Sequence, residues 1–199
     1  MSPFGLPTTV TVSGTEYPVR TDFRVILEIF VMLEDPNLSD SDKTEALLRM
    51  FYEDRPPAKD TEAALSAFRA FVDPGAQSNP SSLRASANTG VATRNSSAKR
   101  SPSLVSWSHD FPLLVGPVNH VLGTECRALK YLHWYTFLAA YIDMDPGCVF
   151  SQVLRIREKL RTGKKLEQWE RDFLRQNPDL IHPPVRLTEA ETAFLKDWA

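Results

Sequence analysis

The side chains best suited to metal binding or acid–base chemistry are four histidines and two cysteines: His109, His120, His133, His182, Cys126 and Cys148. Two zinc ligands on a helix typically lie within one turn of each other, and no two of these histidines are that close in sequence. Two distant cysteines are too few for a metal motif or a disulfide framework, so we interpret them as reduced thiols in or near a core, as expected in a cytosolic protein. The sequence predicts no metal centre and no cofactor.

The acidic stretch from Asp35 to Asp40 begins like a calcium-binding loop, with the order Asp-Pro-Asn-Leu-Ser-Asp. Such a loop needs glycine at its sixth position and glutamate at its twelfth, and this chain has Asp40 and Ala46 there. We therefore interpret the stretch as the end of one helix and the cap of the next. The chain has no Gly-rich phosphate loop, Gly-x-Ser-x-Gly elbow or His-Glu-x-x-His motif, so we expect no enzymatic activity and no catalytic residue.

A basic run near the C-terminal end is a candidate protein-binding surface. Arg155, Arg157 and Lys159 lie on the predicted outer face of a helix over residues 145–161, opposite an inner stripe of Val149, Val153, Ile156 and Leu160. Acidic side chains interrupt the run, and the isoelectric point is about 6.1. We therefore favour the interpretation of this run as a solvated helix face over that of a nucleic-acid-binding surface.

A second candidate surface lies in the last residues. Thr188 predicts the cap of a short helix over residues 189–198, which displays Phe194 and Trp198. An amphipathic helix of this kind must dock, either on its own chain or on a neighbour.

The stretch from Leu129 to Asp143 is the most apolar and aromatic part of the chain, and the rest is organised around it. It is too long for a strand and does not alternate. As a helix, it is polar only along Lys130, His133 and Thr136, so it must be surrounded by other elements. It is too short for a membrane span, which needs about 20 residues. We predict it as a central helix with these residues in the core: His133, Trp134, Tyr135 and Phe137.

His133 is the one polar residue of that stretch with a candidate chemical role. The favoured interpretation is a core histidine whose ring nitrogens are hydrogen-bonded. The alternative is a buried polar pair with Asp110 or Glu125.

The surrounding pattern predicts a mainly α fold, a small multi-helix domain with an N-terminal β-hairpin and a disordered internal linker. Residues 1–73 carry the hairpin and three short helices, and this part has an excess of acidic residues. Residues 74–104 are rich in Ser, Ala and Asn and are basic, which is typical of a disordered linker. Residues 105–199 form a helical core region that we expect to pack with the N-terminal part.

Three segments carry a resemblance to a known family: Trp107-Ser108-His109-Asp110, Leu132-His133-Trp134-Tyr135-Thr136-Phe137-Leu138, and residues 150–157. Together with the hairpin that ends in Thr21-Asp22-Phe23-Arg24, they resemble the bacteriophage gene-product-15 family. Members of that family carry a Leu-His-Trp-Trp-x-Phe motif. Here Tyr135 replaces the second tryptophan, and the acidic cluster expected around Asp110 is missing.

The resemblance implies a non-enzymatic tail-assembly protein of siphophages and prophages, acting in the host cytoplasm. The implied function is that of a chaperone that binds the tape-measure protein and leaves as tail-tube subunits polymerise, with a homo-oligomer as a further possibility. The alternative is a structural subunit that stays in the virion, as a tail or connector component. No membrane partner is implied.

Overall fold

The fold was analysed in a computed structural model, which describes residues 5–74 and 104–183. Two strands and eight α-helices follow one another in these residues. The strands are β1 (Thr9–Val12) and β2 (Thr15–Pro18). The helices are α1 (Phe23–Leu33), α2 (Asp40–Phe51), α3 (Thr61–Val72), α4 (Trp107–Leu122), α5 (Trp134–Ile142), α6 (Val149–Arg161), α7 (Gln168–Gln176) and α8 (Pro178–Ile181). The predicted mainly α class with an N-terminal hairpin is confirmed.

The hairpin follows from β-branched residues on both sides of a Ser13-Gly14 turn. Both turn residues have a positive φ, of 49° and 85°, which suits a tight connection between antiparallel strands. Val10 and Val12 point into the core, where β1 lies against α3. Packing on a helix supplies the burial that a lone two-stranded hairpin lacks.

One main core joins the two halves of the chain. Its buried residues come from β1 and from α1 to α6. The rings of Phe23 on α1 and Phe137 on α5 stack at 4.7 Å between centroids, and Trp134 packs edge-on against Phe30 at 5.8 Å. The indole Nε1 of Trp134 donates to Val72 O at 3.2 Å, so α5 is also tied to the end of α3.

The predicted central helix is shorter than expected, because residues 129–133 are not helical. Phe23 N at the start of α1 donates to Leu132 O at 3.0 Å, and Trp134 N, next to these residues, donates to Thr21 O just before α1 at 2.7 Å. His133 then caps α5, accepting from Tyr135 N through Nδ1 at 3.0 Å. Since these contacts use the backbone groups that a helix would need, the helix begins only at Trp134.

A smaller core lies between α6 and α8, built on Val153, Ile156 and Ile181. Val149 and Leu160, predicted for the same inner stripe, are 47% and 39% exposed. That prediction was wrong at both ends of α6, because α8 is a single turn and covers only the middle of the longer helix.

The predicted linker over residues 74–104 and the predicted terminal helix over residues 189–198 fall almost entirely outside the described residues. Of the linker, Pro74 and Leu104 are described, and Leu104 is buried at 5% exposure. Phe194 and Trp198 lie outside the described residues.

Candidate protein-binding groove

An apolar groove of about 690 Å³ runs between α1 and α4. Its walls come mainly from Leu27, Val31 and Met32 on α1 and from Trp107 and Phe111 on α4. Its polar lining is Arg24, Glu28, Asp35, Ser108 and Arg127. An elongated apolar groove with charged edges is the shape that receives the apolar face of a helix.

The groove exists because α1 is apolar on two faces. One face, with Phe23, Ile26, Ile29 and Phe30, is buried in the main core. Leu27, Val31 and Met32 recur at helical spacing on a neighbouring face and stay only partly buried. No described element covers this second face completely, so it remains open as a groove wall.

The other wall is fixed in place by the first turn of α4. Trp107 is 6% exposed, packs against Phe30 at 5.3 Å between centroids, and donates its backbone N–H to Glu34 Oε1 at 3.0 Å. These contacts join the first turn of α4 to the end of α1. The chain after α4 returns to the start of α1, so the two helices run in opposite directions.

Two arginines line one end of the groove and an aspartate lines the other. Arg24 and Arg127 lie at the end where α1 begins, whereas Asp35 lies at the end where α1 stops. Arg127 forms a two-point ion pair with Glu125, at 2.8 and 3.0 Å, and this hydrogen bonding holds the pKa of Glu125 near 2. The pair therefore stays ionised at neutral pH.

Arg24 fixes the basic end of the groove. Its guanidinium pairs with Asp22 at 3.0 Å and donates to the carbonyl oxygens of Cys126, Arg127 and Leu129. One side chain thus holds the 3-10 helix Cys126–Ala128 against the N-terminus of α1.

Replacing Arg24 with methionine is expected to lower the free energy of unfolding by about 1–3 kcal/mol, because several charge-assisted bonds are lost at once. Hydrogen exchange should quicken in residues 126–133, because Arg24 binds three carbonyl oxygens in this segment. Arg49, which is 77% exposed and pairs with Glu45, provides the control: Arg49→Met should change stability by less than about 0.5 kcal/mol. Equal effects of the two changes would contradict the assigned role of Arg24.

The structure does not place the predicted basic residues on one surface. Arg155 is exposed, but Lys159 turns toward α7, where it pairs with Glu167 at 3.3 Å and Glu170 at 2.7 Å. Its hydrogen bond to Glu170 raises the pKa of Lys159. Lys159 therefore connects two helices of the same chain.

Arg157 is a clear correction, because it is buried, with 6% of its side chain exposed. Its five N–H donors are all used. They reach both oxygens of Asp110 at 2.6 and 2.9 Å, and the carbonyl oxygens of Leu104, Leu180 and Ile181 at 2.7, 2.6 and 3.1 Å. Charge pairing and full hydrogen bonding allow an arginine to be buried where the sequence suggested a solvated face.

Asp110, the partner of Arg157, is 0% exposed and accepts two further bonds. Ser106 N donates to it at 2.9 Å, and His109 Nδ1 lies 3.1 Å from it. Sequence reasoning missed this pair, although a signal was present. Arg157 follows Val153 by four positions and Ile156 by one, so it borders the inner stripe of α6.

The predicted core residues lie around the start of α5. His133, Trp134 and Phe137 are buried at 3%, 2% and 0% exposure, and Tyr135 is partly buried against Phe71. His133 Nδ1 accepts from a backbone N–H, so Nε2 carries the proton that it donates to Pro7 O at 2.9 Å. The alternative pairing of His133 with Asp110 or Glu125 is wrong, because both ring nitrogens bond to backbone groups.

Residues 5–74 and 104–183 contain neither a candidate metal site nor a helix suited to span a membrane. Within these ranges, no three His, Cys, Asp or Glu side chains are grouped so that they could hold a metal ion. None of the helices in the same ranges is long and apolar enough to cross a membrane.

The fold is mainly α, and comparison with known families supplies the class of protein to which the chain belongs. The profile of the family described as Bacteriophage Gp15 protein matches residues 5–181, which is most of the chain. The chain therefore belongs to this bacteriophage family. No curated protein and no solved structure matches it.

Proposed function

We propose that this protein is a non-enzymatic tail-assembly chaperone that binds the tape-measure protein in the host cytoplasm. The observation that carries the proposal is the open apolar groove between α1 and α4, in a chain that belongs to a bacteriophage family. A tape-measure protein is expected to be long, helical and partly apolar, so it needs its apolar faces covered before the tail tube encloses it. Helix-in-groove packing provides that cover reversibly.

The dimensions of the groove support one helix face as the bound element. From Arg24 to Asp35 the groove follows α1 for about 16 Å, which equals roughly three turns of a bound helix. Leu27, Val31 and Phe111 would contact apolar residues spaced three or four apart.

Filling the groove tests the proposal. Ser108 is exposed and lines the groove, so Ser108→Tyr should occupy the space with little loss of stability. We expect the affinity for the tape-measure protein to fall by about tenfold or more, equivalent to roughly 1.4 kcal/mol. The measurement is the soluble fraction of co-expressed tape-measure protein, followed by titration with its soluble fragments.

His120→Tyr is the matched control. His120 is also exposed on α4 but does not line the groove, so binding should be unchanged. Equal binding by the wild-type, Ser108→Tyr and His120→Tyr proteins would refute the groove as the site. Equal solubility of the tape-measure protein with and without this protein would refute the chaperone function. If mass spectrometry detects this protein in purified virions, that result would favour the structural-subunit alternative.

A further inference from the structure

We propose that the groove between α1 and α4 selects a basic amphipathic helix, whose apolar face is flanked by lysine or arginine side chains about two turns apart. This inference rests on the proposed function of the groove and names the chemistry of the partner that the groove takes. The observation that carries it is the charge of the groove lining, which is acidic once the ion pairs within the chain are counted.

The two arginines that line the groove contribute no net positive charge. Arg24 pairs with Asp22 at 3.0 Å, and its other terminal nitrogen donates to carbonyl oxygens of the chain. Arg127 pairs with Glu125 through two bonds, at 2.8 and 3.0 Å. Each guanidinium therefore has a carboxylate of its own chain beside it, and neither attracts an acidic partner strongly.

The two acids that line the groove keep their charge uncompensated. Glu28 is exposed, and it forms no ion pair with another residue in the part of the chain that the structure describes. Asp35 accepts from the backbone N–H and the side-chain amide of Asn37, at 2.9 and 3.2 Å, but these donors are neutral. The wall on α4 adds no charged side chain. Two negative charges on the α1 side therefore remain for a partner to meet.

The spacing of the two acids fits a helix bound alongside α1. Asp35 follows Glu28 by seven positions, which corresponds to about 10 Å along the helix direction, or two turns of a bound helix. Basic residues seven positions apart on one flank of that helix would reach both carboxylates. Their aliphatic stems can cover the apolar wall of Leu27 and Val31, while their charged ends meet the acids. A helix with acidic flanks would meet like charges at both places and is rejected.

The double variant Glu28→Gln/Asp35→Asn tests this selection, because it removes both charges and keeps the size of each side chain. The amide oxygen at position 35 can still accept the bonds from Asn37. The probes are overlapping soluble fragments of the tape-measure protein, titrated against the full chain. Affinity for the fragment that binds should fall about three- to tenfold at about 50 mM NaCl, and this difference should largely vanish at about 500 mM NaCl.

Glu53→Gln/Asp54→Asn is the matched control. It removes the same two charges from exposed residues that do not line the groove, so the affinity should change by less than about twofold. Equal losses in the two double variants would mean that only the overall charge of the protein matters. That result would overturn selection by the groove.

Ser108→Tyr separates this inference from the proposed function. If Ser108→Tyr weakens binding of a fragment but Glu28→Gln/Asp35→Asn leaves it unchanged or strengthens it, the preference for a basic helix is refuted and the groove remains the binding site. If no fragment binds the unmodified protein, or if Ser108→Tyr leaves binding unchanged, the proposed site and this inference fail together.

Discussion

Arg157→Met is expected to lower the free energy of unfolding by about 3–5 kcal/mol, because it leaves the Asp110 carboxylate buried without its counter-charge. The carboxylate is 1% exposed, so water cannot replace the lost donors. Three carbonyl oxygens, of Leu104, Leu180 and Ile181, lose a donor in the same step. Urea denaturation measured by circular dichroism gives the change.

Arg155→Met is the control for Arg157→Met, since Arg155 is exposed on the same helix. It should change stability by less than about 0.5 kcal/mol. The double variant Asp110→Leu/Arg157→Met should recover much of the loss, because no unpaired charge remains buried. If Arg157→Met is no more harmful than Arg155→Met, the buried pair does not stabilise the fold.

The Asp110–Arg157 ion pair also fixes the position of the chain after α6. Arg157 is the common partner of α4, of α8 and of Leu104, where the described chain resumes. Its loss should therefore release α8 from α4. In the Arg157→Met protein, hydrogen exchange at residues 179–182 should rise more than exchange in α1 or α5.

Trp134→Ala should also cost about 3–5 kcal/mol, because it opens a cavity at the centre of the main core. Trp134 is 2% exposed, packs on Phe30 and Phe137 at 5.8 Å each, and bonds to Val72 O. The loss should appear as a lower midpoint in urea with an unchanged denaturant slope.

Two substitutions calibrate the Trp134 prediction. Trp134→Phe keeps most of the ring contacts but removes the bond to Val72 O, so we expect a smaller loss of about 1–3 kcal/mol. Trp169→Ala, at a tryptophan 39% exposed on α7, should cost less than Trp134→Ala. The assigned core position of Trp134 is wrong if the two alanine variants are equally stable.

Contacts at both ends of the groove fix the position of its walls. Trp107 is held by Phe30 and Glu34 at one end, and Arg24 binds three carbonyl oxygens at the other. Fixed walls reduce the entropy lost when a helix binds. This favours a site that a helix can enter and leave without rearrangement of the fold.

Local sequence was sufficient for the features that depend on neighbouring residues. β-branched runs around Ser13-Gly14 predicted the hairpin, and α4 ends where Gly123 follows Leu122. Gly123 has a φ of 67°, the left-handed conformation that glycine supplies at helix ends. The family resemblance, carried by residues 107–110, 132–138 and 150–157, was also readable from the chain and is confirmed by the profile match.

The tertiary structure alone decided the features that depend on distant partners. Residues 129–133 have a helical composition, but Asp22, Phe23 and Arg24 bind their backbone, so α5 begins late. Arg157 only borders the inner stripe of α6, and the fold alone supplies Asp110 and the three carbonyl oxygens that bind it in the interior. Periodicity shows which helix faces are apolar, whereas only the assembled fold determines which of these faces are covered by another element. The second apolar face of α1 is left partly uncovered for that reason, and the groove is the result.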